Sequence, residues 1–156
     1  MILSESFRAR GHENIRATHR KTLEITREEE VSPRGDCIIA VASEKSVADL
    51  SPEIKGRIRE RWFIALVIEI EGIFDYTIGV GDPSLSLRDP LRMIVRKSDY
   101  TDHKTLIIRA SKAAIDIDRA LVERLRSRST IATITILVSE NIEEIKNEIY
   151  REFIKK

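Results

Sequence analysis

Several residue types are scarce in this chain, and each scarcity narrows the classes of protein it can be. Glutamine is absent, and the 156 residues include a single cysteine, Cys37. One cysteine excludes an internal disulfide, which is typical of a protein in a reducing compartment. Charged residues make up 34% of the chain. Together with the lack of glutamine, this is typical of heat-adapted proteins, in which ion-pair networks cost less.

Neither a large net charge nor a long apolar run is present. The net charge is +1, so composition alone does not indicate a strongly basic nucleic-acid binder. The most apolar run, residues 62–68, is far too short to span a bilayer. We see no secretory signal before the first predicted strand. We therefore expect a soluble, cytoplasmic protein with no membrane partner.

The length is that of one domain, and nothing in the composition divides it. We predict a single domain over residues 1–156, with a strand-rich core over 6–138 and an amphipathic C-terminal helix over 141–155. Hydrophobic residues are 42% of the chain, enough for a sizeable core, and only 5% of the chain is aromatic. No internal repeat is evident.

Alternating polarity and turn residues predict a mainly β protein. The expected class is α+β, with an antiparallel, jelly-roll-like β-sandwich and two or three flanking helices. A hairpin is expected to turn near Gly72, and Ser51 with Pro52 is expected to open a short helix. The predicted strands are 6–18, 21–26 (pairing with 6–18), 36–43, 62–71, 73–80, 93–97, 105–110 and 130–138, and a longer helix is predicted over 111–127.

The first predicted strand, 6–18, has one wholly polar face. Its side chains would project about 6.6 Å apart, close to the separation of adjacent phosphates on a nucleic-acid strand. Arginine forks bind phosphate bidentately, and asparagine or histidine can bond a base or sugar. The alternative is a solvated outer face of the sheet. The candidate ligand-binding residues are Arg8, Arg10, His12, Asn14 and Arg16.

Four segments in combination carry a resemblance to a known family. The chain resembles an archaeal family of uncharacterised proteins catalogued as domain of unknown function 371, from Phe7 to about Leu125. The resemblance implies a compact β-rich domain with a jelly-roll-like sandwich in an intracellular archaeal protein. It implies no activity, substrate or catalytic residue. The segments are GHENIRATHRKTLEIT, SPRGDCIIAVAS, GVGDPSL and ASKAAIDIDRALVERL.

Candidate catalytic residues are few. Cys37 is either a nucleophile served by a distant histidine such as His12 or a small buried hydrophobe. Asp36 either faces a ligand or caps a turn. Asp118 falls at the edge of the apolar arc of helix 111–127, so it either pairs with a residue such as Arg109 or lines a cleft. No His-x-His pair is present, so neither a metal site nor a cofactor is predicted.

Three functional hypotheses stay open at this point. The leading one is a binding module for a phosphate-bearing ligand, a nucleotide or RNA. The second is a small-molecule enzyme with a pocket formed by His12, Asp36 and Cys37, with Asp118 nearby. The third is an assembly subunit, including a homo-oligomer, whose C-terminal helix docks on a partner. Each depends on where these side chains lie.

Overall fold

A computed structural model describes residues 1–155, and these form a mixed, mainly β structure with two sheets and three α-helices. The helices are α1 (Pro52–Arg59), α2 (Arg119–Arg124) and α3 (Ile142–Ile149). Short 3₁₀ turns precede α1 and α2, and a π-helical turn follows α3. The strands are β1 (Ile2–Arg10), β2 (Thr22–Thr26), β3 (Ile38–Ala40), β4 (Phe63–Ile70), β5 (Ile73–Val80), β6 (Arg92–Arg96), β7 (Thr105–Ile107) and β8 (Ile131–Ser139).

Each sheet has four strands. The first sheet has the order β1-β8-β4-β5 and is antiparallel throughout. The second has the order β3-β2-β6-β7, in which β2 and β6 are antiparallel while β2–β3 and β6–β7 are parallel. The mixed, mainly β class is confirmed. The two parallel pairs depart from the expected antiparallel arrangement, and the jelly-roll connectivity stays a prediction.

The apolar residues form two clusters. The larger one contains the inward side chains of both sheets, such as Phe7, Leu23 and Ile134. The smaller one lies where Ile145 and Ile149 of α3 pack on the first sheet. No helix among residues 1–155 is long and apolar enough to cross a membrane.

Several sequence predictions hold at the level of single elements. Ser51 caps α1, since its hydroxyl accepts from the Ile54 N–H, and Pro52 is the first helical residue. Strands β4 and β5 form the predicted hairpin, with Gly72 in its turn at φ 88°. Asn141 caps α3. These elements depend on local caps and turns, which short sequence patterns specify well.

The strand predicted over 6–18 is wrong beyond Arg10. There β1 ends, and the Gly11 N–H donates to the Thr130 carbonyl while the His12 N–H donates to the Leu125 carbonyl. The chain turns away from the first sheet to reach these partners. Consequently β2 lies in the second sheet and does not pair with β1 as expected.

The helix predicted over 111–127 is also wrong. The chain forms a 3₁₀ turn, Ala114–Asp116, becomes extended at Ile117, and starts α2 only at Arg119. The Asp116 carboxylate accepts from the Ala113 N–H, which closes the 3₁₀ turn. Asp118 then caps α2 through the Ala120 N–H. The apolar spacing predicts one helix over 111–127, but the caps made by Asp116 and Asp118 divide this segment into a 3₁₀ turn and a short helix.

The chain contains two structurally similar halves, so the expectation of no repeat is wrong for the structure. β1 to β4 and β5 to β8 follow the same order: a long strand, a loop, two short strands, a 3₁₀ turn, a helix and a long strand. The same side-chain contacts, an ion pair and a hydrogen bond to the N-cap of the helix, occur in both halves. Glu5 pairs with Lys45 and accepts from the N–H of Ser51, the N-cap of α1. In the second half, Asp75 pairs with Lys112 and accepts from the N–H of Asp118, the N-cap of α2.

The halves are interlocked by two glycines. Gly11, after β1, packs on the backbone that follows α2, where an added Cβ would lie 2.4 Å from the Leu125 carbonyl oxygen and 2.3 Å from that of Ser127. Gly81, after β5, packs in the same way on α1, where a Cβ would lie 1.9 Å from the Ile58 oxygen. Each half's loop therefore rests on the other half's helix.

Replacing Gly81 should expose this constraint. We expect Gly81→Ala to lower the free energy of unfolding by about 3 kcal/mol, because the methyl group overlaps rigid backbone. Gly56→Ala is the matched control, since nothing lies within 4 Å of its Cβ position in α1. It should raise the free energy by up to about 1 kcal/mol. Urea denaturation of both variants measures the difference, and equal stabilities would contradict the interlock.

Candidate functional site

The residues of the predicted polar face lie in three different places: on β1, inside the loop that follows β1, and beside α2. Arg8 and Arg10 lie on β1, both exposed. The Arg8 guanidinium donates to Glu44 at 3.3 Å, and the Arg8 N–H donates to the same carboxylate at 2.7 Å. Arg10 makes no side-chain hydrogen bond within the part of the chain that the structure describes. Of these two arginines, only Arg10 is therefore available to a ligand without breaking a bond.

His12 and Asn14 are used inside the protein. The His12 side chain is 1% exposed, and its Nδ1 accepts from the Asn14 N–H at 3.0 Å. This bond leaves the ring proton on Nε2, which lies 3.0 Å from Glu30 Oε1. The Asn14 amide donates to the Val31 carbonyl at 2.8 Å. Both side chains connect the loop after β1 to the loop after β2, so their polar atoms already have partners within the protein.

Arg128 completes a charged network around His12. Its Nε donates to Glu13 at 2.7 Å, and its two terminal nitrogens donate to Glu30 at 2.8 and 2.9 Å. Hydrogen bonds from Arg128 and His12 lower the pKa of Glu30 to about 2, and a hydrogen bond from Arg128 lowers that of Glu13. The network joins three loops at the surface.

The second half has a simpler version of this network. Arg61, which matches Arg128 in position after the helix, donates to Asp82 at 3.2 Å. Asp82 also accepts from the Ser84 N–H, as His12 accepts from that of Asn14. Because the arrangement occurs in both halves, we interpret it as support for the loops.

The four catalytic candidates do not form one constellation. His12 is bonded to Glu30, whereas Cys37 Sγ lies 3.9 Å from Glu24. Burial, with the negative charge of Glu24, raises the pKa of Cys37 to about 11. Asp36 is half-buried, and its carboxylate accepts no hydrogen bond from any group within residues 1–155.

The position expected for Asp118, at the edge of the apolar arc of a long helix, is wrong. This residue is exposed, and its carboxylate caps α2 by accepting from the N–H groups of Ala120 and Leu121. It does not pair with Arg109. The error follows from the helix predicted over 111–127, which would have placed Asp118 in mid-helix. Within residues 1–155 no group of three His, Cys, Asp or Glu side chains is placed to hold a metal ion.

A basic cleft lies where the loop after β1 meets α2. It has a volume of about 370 Å³ and is lined by Arg16, Thr18, Arg119, Val122, Glu123 and Arg126. We call it the α2 cleft. Only Arg16 and Thr18 come from the predicted polar face of residues 6–18.

Arg119 holds the floor of the α2 cleft. Its Nη1 donates to the carbonyls of Ala17 at 3.0 Å and Ile115 at 2.9 Å, and its Nη2 donates to that of Arg16 at 3.1 Å. A guanidinium committed to carbonyl oxygens leaves its charge in place without an acidic partner. It therefore fixes the backbone of the loop that carries Arg16 and makes the cleft more positive.

The two other arginines of the α2 cleft are weakly engaged. Arg16 is exposed, and among residues 1–155 its side chain donates only to the Pro33 carbonyl, at 3.4 Å. Arg126 is exposed and makes no side-chain hydrogen bond among the described residues. Among residues 1–155, Glu123 is the only acidic residue that lines the cleft. Two guanidinium groups are thus free to bind an anion beside a third that is fixed.

The chain matches a known protein family over most of its length. The family model described as "Domain of unknown function (DUF371)" matches residues 7–139, from β1 to the end of β8. The chain belongs to this family. It is similar to Uncharacterized protein MJ0206 of Methanocaldococcus jannaschii, at 45% identity over 119 residues, which cover 76% of this chain and 88% of that relative. The DUF371 match includes the whole α2 cleft and ends before α3.

Acidification should weaken the Arg128 network. The pKa of Glu30 is lower in the folded chain than its ordinary value of 4.5, so its contribution to stability is present above pH 4.5 and is lost as the pH falls towards 2. We expect Arg128→Met to be less stable than the wild type near pH 6, modestly because the groups are exposed, with the difference shrinking towards pH 2. Thermal unfolding across this range measures it. Arg20→Met is the control, and a difference that does not vary with pH would count against the network.

Cys37 should be an unreactive thiol in the folded protein. With a pKa of about 11, only about one molecule in a thousand carries the thiolate at pH 8. We expect slow labelling by a disulfide reagent at pH 8, faster labelling as the pH approaches 11, and rapid labelling after unfolding in urea. Fast labelling of the folded chain at pH 7 would contradict this expectation and support the hypothesis that Cys37 is a nucleophile.

Proposed function

We propose that this protein binds a phosphate-bearing ligand, a nucleotide or RNA, in the α2 cleft. The observation that carries the proposal is the convergence of Arg16, Arg119 and Arg126 on one cleft with Glu123 as its only acidic lining residue. A guanidinium fork matches the oxygens of a phosphate, and two of these three forks have no strong partner. Thr18 adds a hydroxyl to the same surface.

The proposal keeps the ligand class expected from the sequence but changes the site. Arg16 is retained, and Arg10 stays a candidate for peripheral contact on β1. Arg8, His12 and Asn14 are left out, because their polar atoms bond Glu44, Glu30 and Val31. Binding through these three would break existing hydrogen bonds before any new one formed.

The cleft favours contact with phosphate over recognition of a base. None of its lining residues is aromatic, and sequence-tolerant binding of single strands usually uses stacking on aromatic rings. Affinity should therefore depend mainly on the number of phosphate groups and on salt.

The other two hypotheses have less support. An enzyme would need His12, Asp36 and Cys37 at one pocket, whereas His12 and Cys37 bond different glutamates. An assembly subunit would need the apolar stripe of α3, whereas Ile145 and Ile149 are buried against the chain's own first sheet. We retain the phosphate-binding hypothesis.

A salt titration with matched arginine variants tests the proposal. We expect the wild type to bind a short single-stranded RNA at low salt, and Arg16→Ala/Arg126→Ala to bind it about tenfold or more weakly. The slope of log K against log salt should fall in magnitude by roughly 1.4, since each single-strand phosphate contact contributes about 0.7. Fluorescence anisotropy measures both quantities.

The control is Arg20→Ala/Arg34→Ala, which removes two exposed arginines outside the cleft and changes the net charge equally. It should leave both affinity and salt slope close to the wild type. If both double variants weaken binding equally, binding depends on the overall charge of the protein and not on the α2 cleft. If the cleft variant binds as tightly as the wild type, the α2 cleft is not the site.

A further inference from the structure

The α2 cleft has a counterpart in the other half of the protein. The loop after β5 meets α1 as the loop after β1 meets α2, because Gly81 and Gly11 make the same close approach. The residues that correspond to Arg16, Thr18, Val122 and Arg126 are Ser86, Arg88, Lys55 and Arg59. We call these four residues the α1 surface.

The backbone of the two loops is alike in detail. Ala17 and the corresponding Leu87 both have left-handed backbone, with φ of 51° and 53°. His19 and the corresponding Asp89 both accept from the N–H groups two and three residues onward. The α1 surface therefore stands on the same frame as the α2 cleft.

An arginine pins each loop through its carbonyl oxygens. Arg59 of α1 donates through Nε to the Leu85 carbonyl at 3.0 Å and through Nη2 to the Ser86 carbonyl at 2.7 Å. Arg119 of α2 donates to the matching carbonyl of Arg16. In both halves a helix cation is thus fixed against the loop without an acidic partner.

The α1 surface also carries additional positive charge. Arg88 is exposed, and its side chain makes no hydrogen bond in the described part of the chain. Within residues 1–155, Lys55 Nζ donates only to the Ala48 carbonyl, at 2.6 Å, so no acid in this part of the chain neutralises its charge. Gly56 of α1 corresponds to Glu123, the acidic residue of the α2 cleft. The α1 surface therefore has no acidic side chain at this position.

We propose that the α1 surface is a second phosphate-binding site of the same chemistry as the α2 cleft. This inference rests on the proposed function for the ligand class, but each site can fail separately. Arg88, the counterpart of Thr18, would bind the ligand, because the counterparts of Arg16 and Arg126 are Ser86 and the loop-bound Arg59. Arg59 would hold the loop and supply charge. Two sites on one small domain suit a ligand with several phosphate groups more than one with a single phosphate.

An NMR titration with inorganic pyrophosphate at low ionic strength tests the inference. We expect two groups of backbone amides to shift, residues 14–18 and residues 84–88. Arg88→Glu should weaken binding at 84–88 by about tenfold or more and leave 14–18 within about twofold. Arg16→Glu should do the reverse. Arg34→Glu, with the same change of charge, should spare both groups.

Each result has a distinct meaning. Shifts at both loops, each removed by its own variant, support the second site. Shifts only at 14–18 that persist in Arg88→Glu overturn the second site and leave the proposed function standing. Shifts only at 84–88 that vanish in Arg88→Glu support the second site and refute the α2 cleft. An absence of shifts at both loops refutes both.

Discussion

The close approach of two glycines to backbone determines much of this structure. Gly11 and Gly81 each leave a long strand and press against the carbonyl oxygens near the end of a helix, at distances that no Cβ could occupy. The bonds His12 N–H to Leu125 and Gly81 N–H to Trp62 fix the same contacts. Since each glycine belongs to one half and each helix to the other, neither half can complete its own packing. The sheets are shared in the same way, because each of the two sheets contains strands from both halves.

The packing of each half's loop on the other half's helix also creates the candidate sites. The loop after β1 brings Arg16 to α2, where Arg119 fixes the loop and Arg126 stays free. A guanidinium held by carbonyl oxygens is a fixed charge that needs no further ordering to face an anion, whereas a neighbouring free guanidinium loses side-chain freedom when it binds. The charged side chains that recur in both halves, such as the Glu5–Lys45 and Asp75–Lys112 pairs, instead stabilise the frame.

Sequence reasoning reached the mainly β class, α1, the β4–β5 hairpin and the start of α3, because caps and turns act over a few residues. It failed beyond Arg10 because burial still alternates in the loop: Ile15 and Ala17 are buried while Arg16 is exposed, as in a strand. No local pattern reports that a chain has left its sheet to reach a distant helix. Arg119 and Arg126 were missed as site residues for the same reason. A signal for the repeat does exist, in five identical charged pairs at one constant spacing: Lys45 and Lys112, Asp49 and Asp116, Arg57 and Arg124, Arg59 and Arg126, Arg61 and Arg128.

The fold and both candidate sites depend on the interlock between the halves, and separated halves test this interlock most directly. Fragments 1–70 and 71–156, cut at the β4–β5 turn, would be followed by circular dichroism during urea titration, alone and as an equimolar mixture. The interlock predicts that neither fragment alone shows a cooperative transition, because each lacks the helix on which its loop rests. The mixture should recover one. A cooperative transition in either isolated fragment would contradict it.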